Sequence, residues 1–276
     1  MLMPMNQLFD QIHKIPQVPD VVRTLIVQFN DPKVDFNAIA KNIEKEQMIS
    51  LKVLRLVNSA HFGLSKKVGT IQDAIVMLGM NQLRTLVIAS GLVNSIPKIE
   101  NFNLTHFWEN SFRTATYAKG LAKELKIDAD LAFTAGLISD LGNILIHMGA
   151  PKEANEIDQH VKAGNTRSSI ETRRLGFTSE DVCAELCRRW HFSPELIDAV
   201  AHCGEPLKTA NSSHQACVVH IARYLSYCQQ SSLSMEEVLK TFPSEVAAKI
   251  GLSETFMTEK LPELLMLESG MESLAA

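Results

Sequence analysis

Apolar residues recur at three- and four-residue intervals from one end of this chain to the other, and the two-residue alternation of a half-buried strand is nearly absent. A chain patterned in this way can bury its apolar surface only by packing helix faces against helix faces, so the expected fold class is all-α. With 276 residues, 46% of them hydrophobic, it should bury roughly three quarters of its unfolded surface. Neither metal nor disulfide is needed to hold such a core together.

Punctuation divides the pattern into helices. Asp20 can cap one that runs to about Asn30, where Asp31-Pro32 breaks it. Asp35 opens another, with Phe36, Ile39, Ala40 and Ile43 on one face. From Met48 to Asn58 apolar residues wrap almost the whole circumference, which predicts a helix buried on most sides. A loop follows at His61-Phe62-Gly63, then a short helix from a Thr70 cap to Gly79, then an apolar helix from Met80 to Ile96. Met48, Met77, Met80 and Met148 fall at core-like positions and read as gap-fillers. Asn103 caps a long helix to about Leu125.

Asp130 to Met148 is the most apolar stretch and is expected as one helix, stopped by Gly149-Ala150-Pro151. Its polar residues, Ser139, Asp140, Asn143 and His147, share one face. A polar stripe on such a helix must be hydrogen-bonded inside or must line a cavity. Thr178 with Asp181 makes a variant capping box, and Ser193-Pro194 starts the next helix with proline in the favoured first position. Further helices cover residues 212–230 and 235–269, and the apolar tail from Leu261 to Leu267 could dock a second subunit as a homodimer.

Charge and cysteine usage narrow the function. The balance of 27 basic and 31 acidic residues, net −4, lacks the basic surface that nucleic-acid binding requires. Five cysteines, none spaced C-x-x-C, read as buried thiols in a reducing compartment. The first residues lack a signal-peptide pattern, and no apolar stretch is expected to reach the about 18 residues that span a bilayer. The expected location is therefore cytoplasmic, with no membrane partner. No G-x-S-x-G elbow, phosphate loop or dinucleotide fingerprint is present.

Several segments together resemble one family. "IPQVPDVV", "IEKEQMISLKVLRLVNSAHFGL", "TIQDAIVMLGMNQLRTLVIAS", "FWENSFRTATYAKGLAKEL", "AGLISDLGNILI" and "LGFTSEDVCAELCRRWHFSPELIDAVAHC" are similar, in this order, to the HDOD domain. That bacterial output module is related to the HD phosphohydrolases. The resemblance spans about residues 7–206. It implies a compact HD-like helical fold, with an amino-terminal lobe at about 7–100 and an HD-like lobe at about 101–206. Residues 207–276 would then be a helical extension packed on the second lobe, leaving no room for a companion sensory domain.

The HD relatives hold divalent metal through histidines and aspartates, because a cation must activate water and neutralise charge developing on the phosphate. The resemblance puts Asn110 at the family's first histidine, and Ser139-Asp140 at its His-Asp pair. Asn143 stands at the following lysine and Ser179 at the next histidine, His202 and Cys203 at a double histidine, and Arg223 at the last aspartate. Only Asp140 and His202 remain as plausible ligands, fewer than the three protein ligands of a catalytic site. The expectation is a non-catalytic signalling module without cofactor, acting through a protein partner or a small ligand. Asn110, Ser139, Asp140, Asn143, Ser179, His202 and Arg223 are the candidate ligand pocket, with an Asp140–Arg223 contact replacing the cation. The alternative is a metal-dependent phosphohydrolase with a rearranged site built from Asp140, His202, His147 and Asp181.

Overall fold

The computed structural model describes residues 4–11, 24, 35–58, 67–80, 83, 86, 87, 90, 91, 99, 102–208, 213–253 and 256–266. Among these residues every regular element is a helix and no strand occurs. The first four are α1 (Met5–Gln11), α2 (Phe36–Lys45), α3 (Gln47–Val57) and α4 (Ile71–Leu78). The central group is α5 (Leu104–Glu124), α6 (Ala129–Ile138), α7 (Leu141–Gly149), α8 (Pro151–Lys162), α9 (Arg167–Leu175), α10 (Ser179–Arg189) and α11 (Pro194–His202). Then come α12 (His214–Gln230), α13 (Met235–Thr241), α14 (Ser244–Lys249), a π-helical turn (Phe256–Lys260) and α15 (Leu261–Leu265). The helix expected at Asp20–Asn30, the loop at His61-Phe62-Gly63 and most of Met80–Ile96 lie outside the described residues.

Helix starts fall where side-chain oxygens can take up orphan N–H groups. Thr70, Asn103 and Ser193 each accept from the backbone N–H three residues on, and Asp35 from the N–H two residues on. Thr178 and Asp181 bond reciprocally, fixing the start of α10. That start matters, because Ser179 and Glu180 follow the cap directly and are both buried.

Two apolar clusters fill the interior. The larger runs from Leu8, Ile39 and Ile71 through Trp108, Ile144 and Val182 to Val219. The other joins Tyr117 and Leu121, on the second half of α5, to Val218 and Leu225 of α12 and to Val246 and Leu261. Leu261 and Leu264 of the tail are buried in this second cluster, and Tyr117 Oη approaches the Leu265 carbonyl at 3.5 Å. Leu261 and Leu264, part of the tail that could dock a second subunit, thus pack inside this chain, while Met266 beside them is exposed.

Four expectations need correction. Leu51 on α3 and Met77 on α4 are 59% and 48% exposed, so α3 is buried on one face rather than most, and Met77 fills no core gap. The stretch at 130–148 is two helices, with Asp140 at φ −105° and ψ 6° between them. At the break the Ser139 hydroxyl donates to the Gly136 carbonyl at 3.0 Å, a local bond that competes with continuing the helix. Finally, Ala129–Gly149 does have the length and hydropathy to cross a membrane, yet 78% of it is buried inside the protein and it is broken at its middle. Its apolar surface belongs to the core.

Two glycines draw the walls of the site together. A Cβ on Gly136 would lie 2.9 Å from the Ala115 Cα, so its absence lets α6 close on α5. A Cβ on Gly142 would run into the Ser179 carbonyl, so α7 and α10 meet backbone to backbone.

Candidate functional site

Asp140 sits at the α6–α7 break, and α6 packs against α12. Arg223, near the middle of α12, reaches over it. The guanidinium donates through Nη1 to Glu180 Oε1 at 2.7 Å and lies 3.4 Å from the Cys203 sulfur. Its Nη2 stands 3.8 Å from Asp140 Oδ1. The Asp140–Arg223 contact expected from the sequence is therefore present, but it is an approach of charges rather than a hydrogen bond. Glu180 holds the arginine.

The electrostatics follow this division. Burial alone would raise the Glu180 carboxyl, but the adjoining Arg223 charge and hydrogen bond bring it below its ordinary value. Burial raises Asp140 more than Arg223 and then Arg167 can pull it back. Because 39% of the Asp140 side chain is accessible and the cavity it lines is open on one side, solvent screens this rise. Burial also pushes the Cys203 thiol up to about 12.

A second guanidinium closes the opposite side. Arg167, in the first turn of α9, pairs with Asp158 of α8, donates to Asn143 Oδ1 at 3.1 Å and reaches Glu171 Oε1 at 3.5 Å. Asp158 also takes His147 Nε2 at 3.1 Å. Glu171 is fully buried, and its Oε2 accepts the Ser179 N–H at 2.7 Å and the Ser179 hydroxyl at 3.0 Å. Burial pushes the Glu171 carboxyl up to about 7, against the pull of these donors. The Ser179 hydroxyl is also 3.3 Å from Glu180 Oε2, which links the two sides.

Between α5, α6 and α12 lies a polar cavity of about 140 Å³. Its walls carry Asn110, Ser111 and Thr114 from α5, and Gly136, Ser139 and Asp140 from the α6 end. Arg223, Ser226, Tyr227 and Gln230 of α12 complete it. At one edge Asn110 and Gln230 both bond His106 Nε2, the former at 3.2 Å.

Of the seven residues singled out by sequence, Asn110, Ser139, Asp140 and Arg223 line this cavity together. Asn143 and Ser179 belong to the ion network behind it and not to its wall. His202 is in neither group: its ring is held by Asp198 of its own helix at 2.9 Å. Sequence reasoning missed Asp158, Arg167, Glu171 and Glu180. One signal was available: Arg167, Glu171 and Leu175 follow each other at four-residue spacing, which puts a carboxylate on the stripe of a buried leucine.

A divalent metal of the HD type needs about three converging protein ligands. Among the described residues no three His, Cys, Asp or Glu side chains converge to hold an ion. A guanidinium also stands against the Asp140 carboxylate, where it would repel a cation. These residues do not fit a metal.

The sequence pattern of the HDOD domain matches residues 15–206. A solved structure of a candidate phosphohydrolase from Shewanella amazonensis is 31% identical, covers 98% of each chain and superposes with a TM-score of 0.82. An HDOD domain protein with unknown function from Geobacter sulfurreducens, 22% identical and covering 97% of this chain and 95% of its own, has the same fold with a TM-score of 0.78. An uncharacterized protein of Treponema pallidum is 24% identical over 194 residues, 69% of this chain. The chain spans only 38% of that relative's length.

Proposed function

This chain belongs to the HDOD domain family, and from that premise we propose that it is a signal-transduction module that acts by binding a protein partner or a small ligand rather than by hydrolysis. The observation that carries this reading is the 2.7 Å Arg223–Glu180 pair, with Asp140 drawn in at 3.8 Å. A fixed protein cation takes the carboxylates that a catalytic metal would otherwise use. It cannot bind and activate water, which is what hydrolysis of a phosphate ester requires of the metal.

The phosphohydrolase alternative, suggested by the Shewanella relative's description, needs further ligands beside Asp140. Its candidates are engaged elsewhere: His147 with Asp158, His202 with Asp198, and Asp181 in the α10 capping box. A cytoplasmic location is part of the proposal, supported by five buried free thiols that suit a reducing compartment.

Elemental analysis of the purified protein, before and after incubation with Mn²⁺, Fe²⁺ or Zn²⁺, tests the reading. Substoichiometric metal that is lost on mild chelation and unchanged in Asp140→Ala is the expected result. One or two tightly held ions that vanish in Asp140→Ala or His202→Ala would overturn it.

A further inference from the structure

The cavity beside Asp140 has a volume of about 140 Å³ and is open on one side. A cavity of about 150 Å³ admits benzene, so a guest here places roughly six to eight non-hydrogen atoms inside. Much of the polar wall is already engaged. Ser139 donates to the Gly136 carbonyl and Ser226 to the Asn110 carbonyl. Asn110 Oδ1 accepts from Arg113 Nη1 at 3.0 Å, and its amide N–H goes to His106. The Ser111 oxygen is buried out of a guest's reach. The Asp140 carboxylate, 39% accessible, and the Arg223 guanidinium, 27% accessible, keep both exposure and spare hydrogen-bonding capacity.

Charge narrows the guest to neutral molecules. Asp140 and Glu180 stand against Arg223, Arg167 lies beyond Asp140, and Arg113 sits on Asn110. A cation drawn to Asp140 meets Arg223, and an anion drawn to Arg223 meets Asp140 and Glu180. The Asp140 and Arg223 side chains are 3.8 Å apart, too far for a hydrogen bond. An oxygen about 2.8 Å from each closes that gap if it donates to the carboxylate and accepts from the guanidinium. A hydroxyl does both from one atom, whereas an ammonium only donates and an ether or carboxylate only accepts. The space holds several waters, and adjacent hydroxyls on a carbon chain reproduce the hydrogen bonds that such waters make. At the rim stands Tyr227, 61% exposed, whose ring face suits the C–H side of that chain.

We infer that this cavity binds a small neutral polyol with adjacent hydroxyls and discriminates against charged molecules of either sign. One hydroxyl bridges Asp140 and Arg223, and its neighbours take the places of water along the wall. The inference rests on the binding reading proposed above for the same site.

The test is a nuclear magnetic resonance titration of the isotopically labelled full chain with glycerol and erythritol. Beside them stand 1,2-dimethoxyethane, which accepts but cannot donate, and the ions ethanolamine, acetate and inorganic phosphate. Saturable shifts with a roughly millimolar dissociation constant are expected for the two polyols alone, centred on the backbone signals of Asp140 and Arg223. Asp140→Asn should weaken this binding about tenfold, because a charge-assisted bond is lost. The wild-type shift map keeps the test readable if Asp140→Asn fails to fold. No shifts, shifts that grow without saturating or centre elsewhere, or polyol binding undiminished in Asp140→Asn would each overturn the inference. So would binding of the ether or of any ion as tight as that of erythritol. Metal content measured on the same sample separates the two failures. Metal-free protein that ignores the polyols sinks the ligand class alone, whereas metal held through Asp140 sinks the binding reading as well.

Discussion

The two sides of Asp140 solve one problem in opposite ways. Each brings a guanidinium to buried carboxylates, yet the Arg223 side holds its glutamate below the ordinary carboxyl value and the Arg167 side leaves its glutamate above it. Glu180 has a 2.7 Å partner in Arg223 and lies below its ordinary carboxyl value. Glu171 has Arg167 only at 3.5 Å, because Asp158 and Asn143 take the rest of that guanidinium, and it rises to about 7. The cavity opens beside the first pair, while the second is closed over by α8 and α9. An ion pair next to a cavity can respond to a guest; a glutamate buried behind the cavity wall serves packing.

The largest perturbation removes the seam common to both sides. Gly142→Ala forces a Cβ into the Ser179 carbonyl, backbone that cannot rotate away, and should cost more than about 3 kcal/mol in urea melts. A normally stable Gly142→Ala protein would mean that α7 and α10 are not in contact. Next, Arg223→Ala strands Glu180 and Asp140 together and should cost about 3 kcal/mol. Arg167→Ala should cost less, about 1–2 kcal/mol, since Glu171 can escape by taking up a proton. Equal losses would erase the contrast between the sides.

Acidity separates them by sign. Glu171 binds its proton more tightly folded than unfolded, so its contribution is fully present below the unfolded value near 4.5 and is lost as pH rises through about 7. Glu180, lowered on folding, contributes above its unfolded value and loses that contribution as pH falls. Melting temperatures of Glu171→Gln should therefore gain on wild type between about pH 5 and pH 8, whereas Glu180→Gln should lose ground over the acid end of the range. Parallel profiles would show that the two glutamates share one environment. The smallest effect is at Ser111: replacing its unpartnered hydroxyl by Ser111→Ala should leave stability within about 0.5 kcal/mol of wild type, or raise it.

Much of this was legible in the residues. The caps at Asn103, Thr178 and Ser193 announce themselves through short-range chemistry, and the helices begin there. The pairing of Asp140 with Arg223 could be anticipated from the family's order of ligands, since a lost aspartate replaced by arginine turns a metal ligand into a counter-ion. Glu180 as the main partner could not, because an acid in a first helical turn ordinarily serves the helix dipole. Neither could the break at Ser139-Asp140, which has no proline to mark it and goes with the Ser139 hydroxyl's bond to the Gly136 carbonyl. His202 misled because matching order along the chain does not ensure that a side chain faces the site, and its own helix supplies Asp198 one turn away.

Arg223 lies beyond residue 206, where the HDOD match ends, and this has a practical sequel. A fragment cut at that boundary would keep Asp140 and Glu180 and lose the guanidinium that pairs with Glu180, together with the α12 surface that covers Tyr117 and Leu121. Such a fragment would leave Glu180 buried without its ion-pair partner and should be less stable than the longer chain. The unit recognisable by descent and the unit that is electrically complete end at different residues.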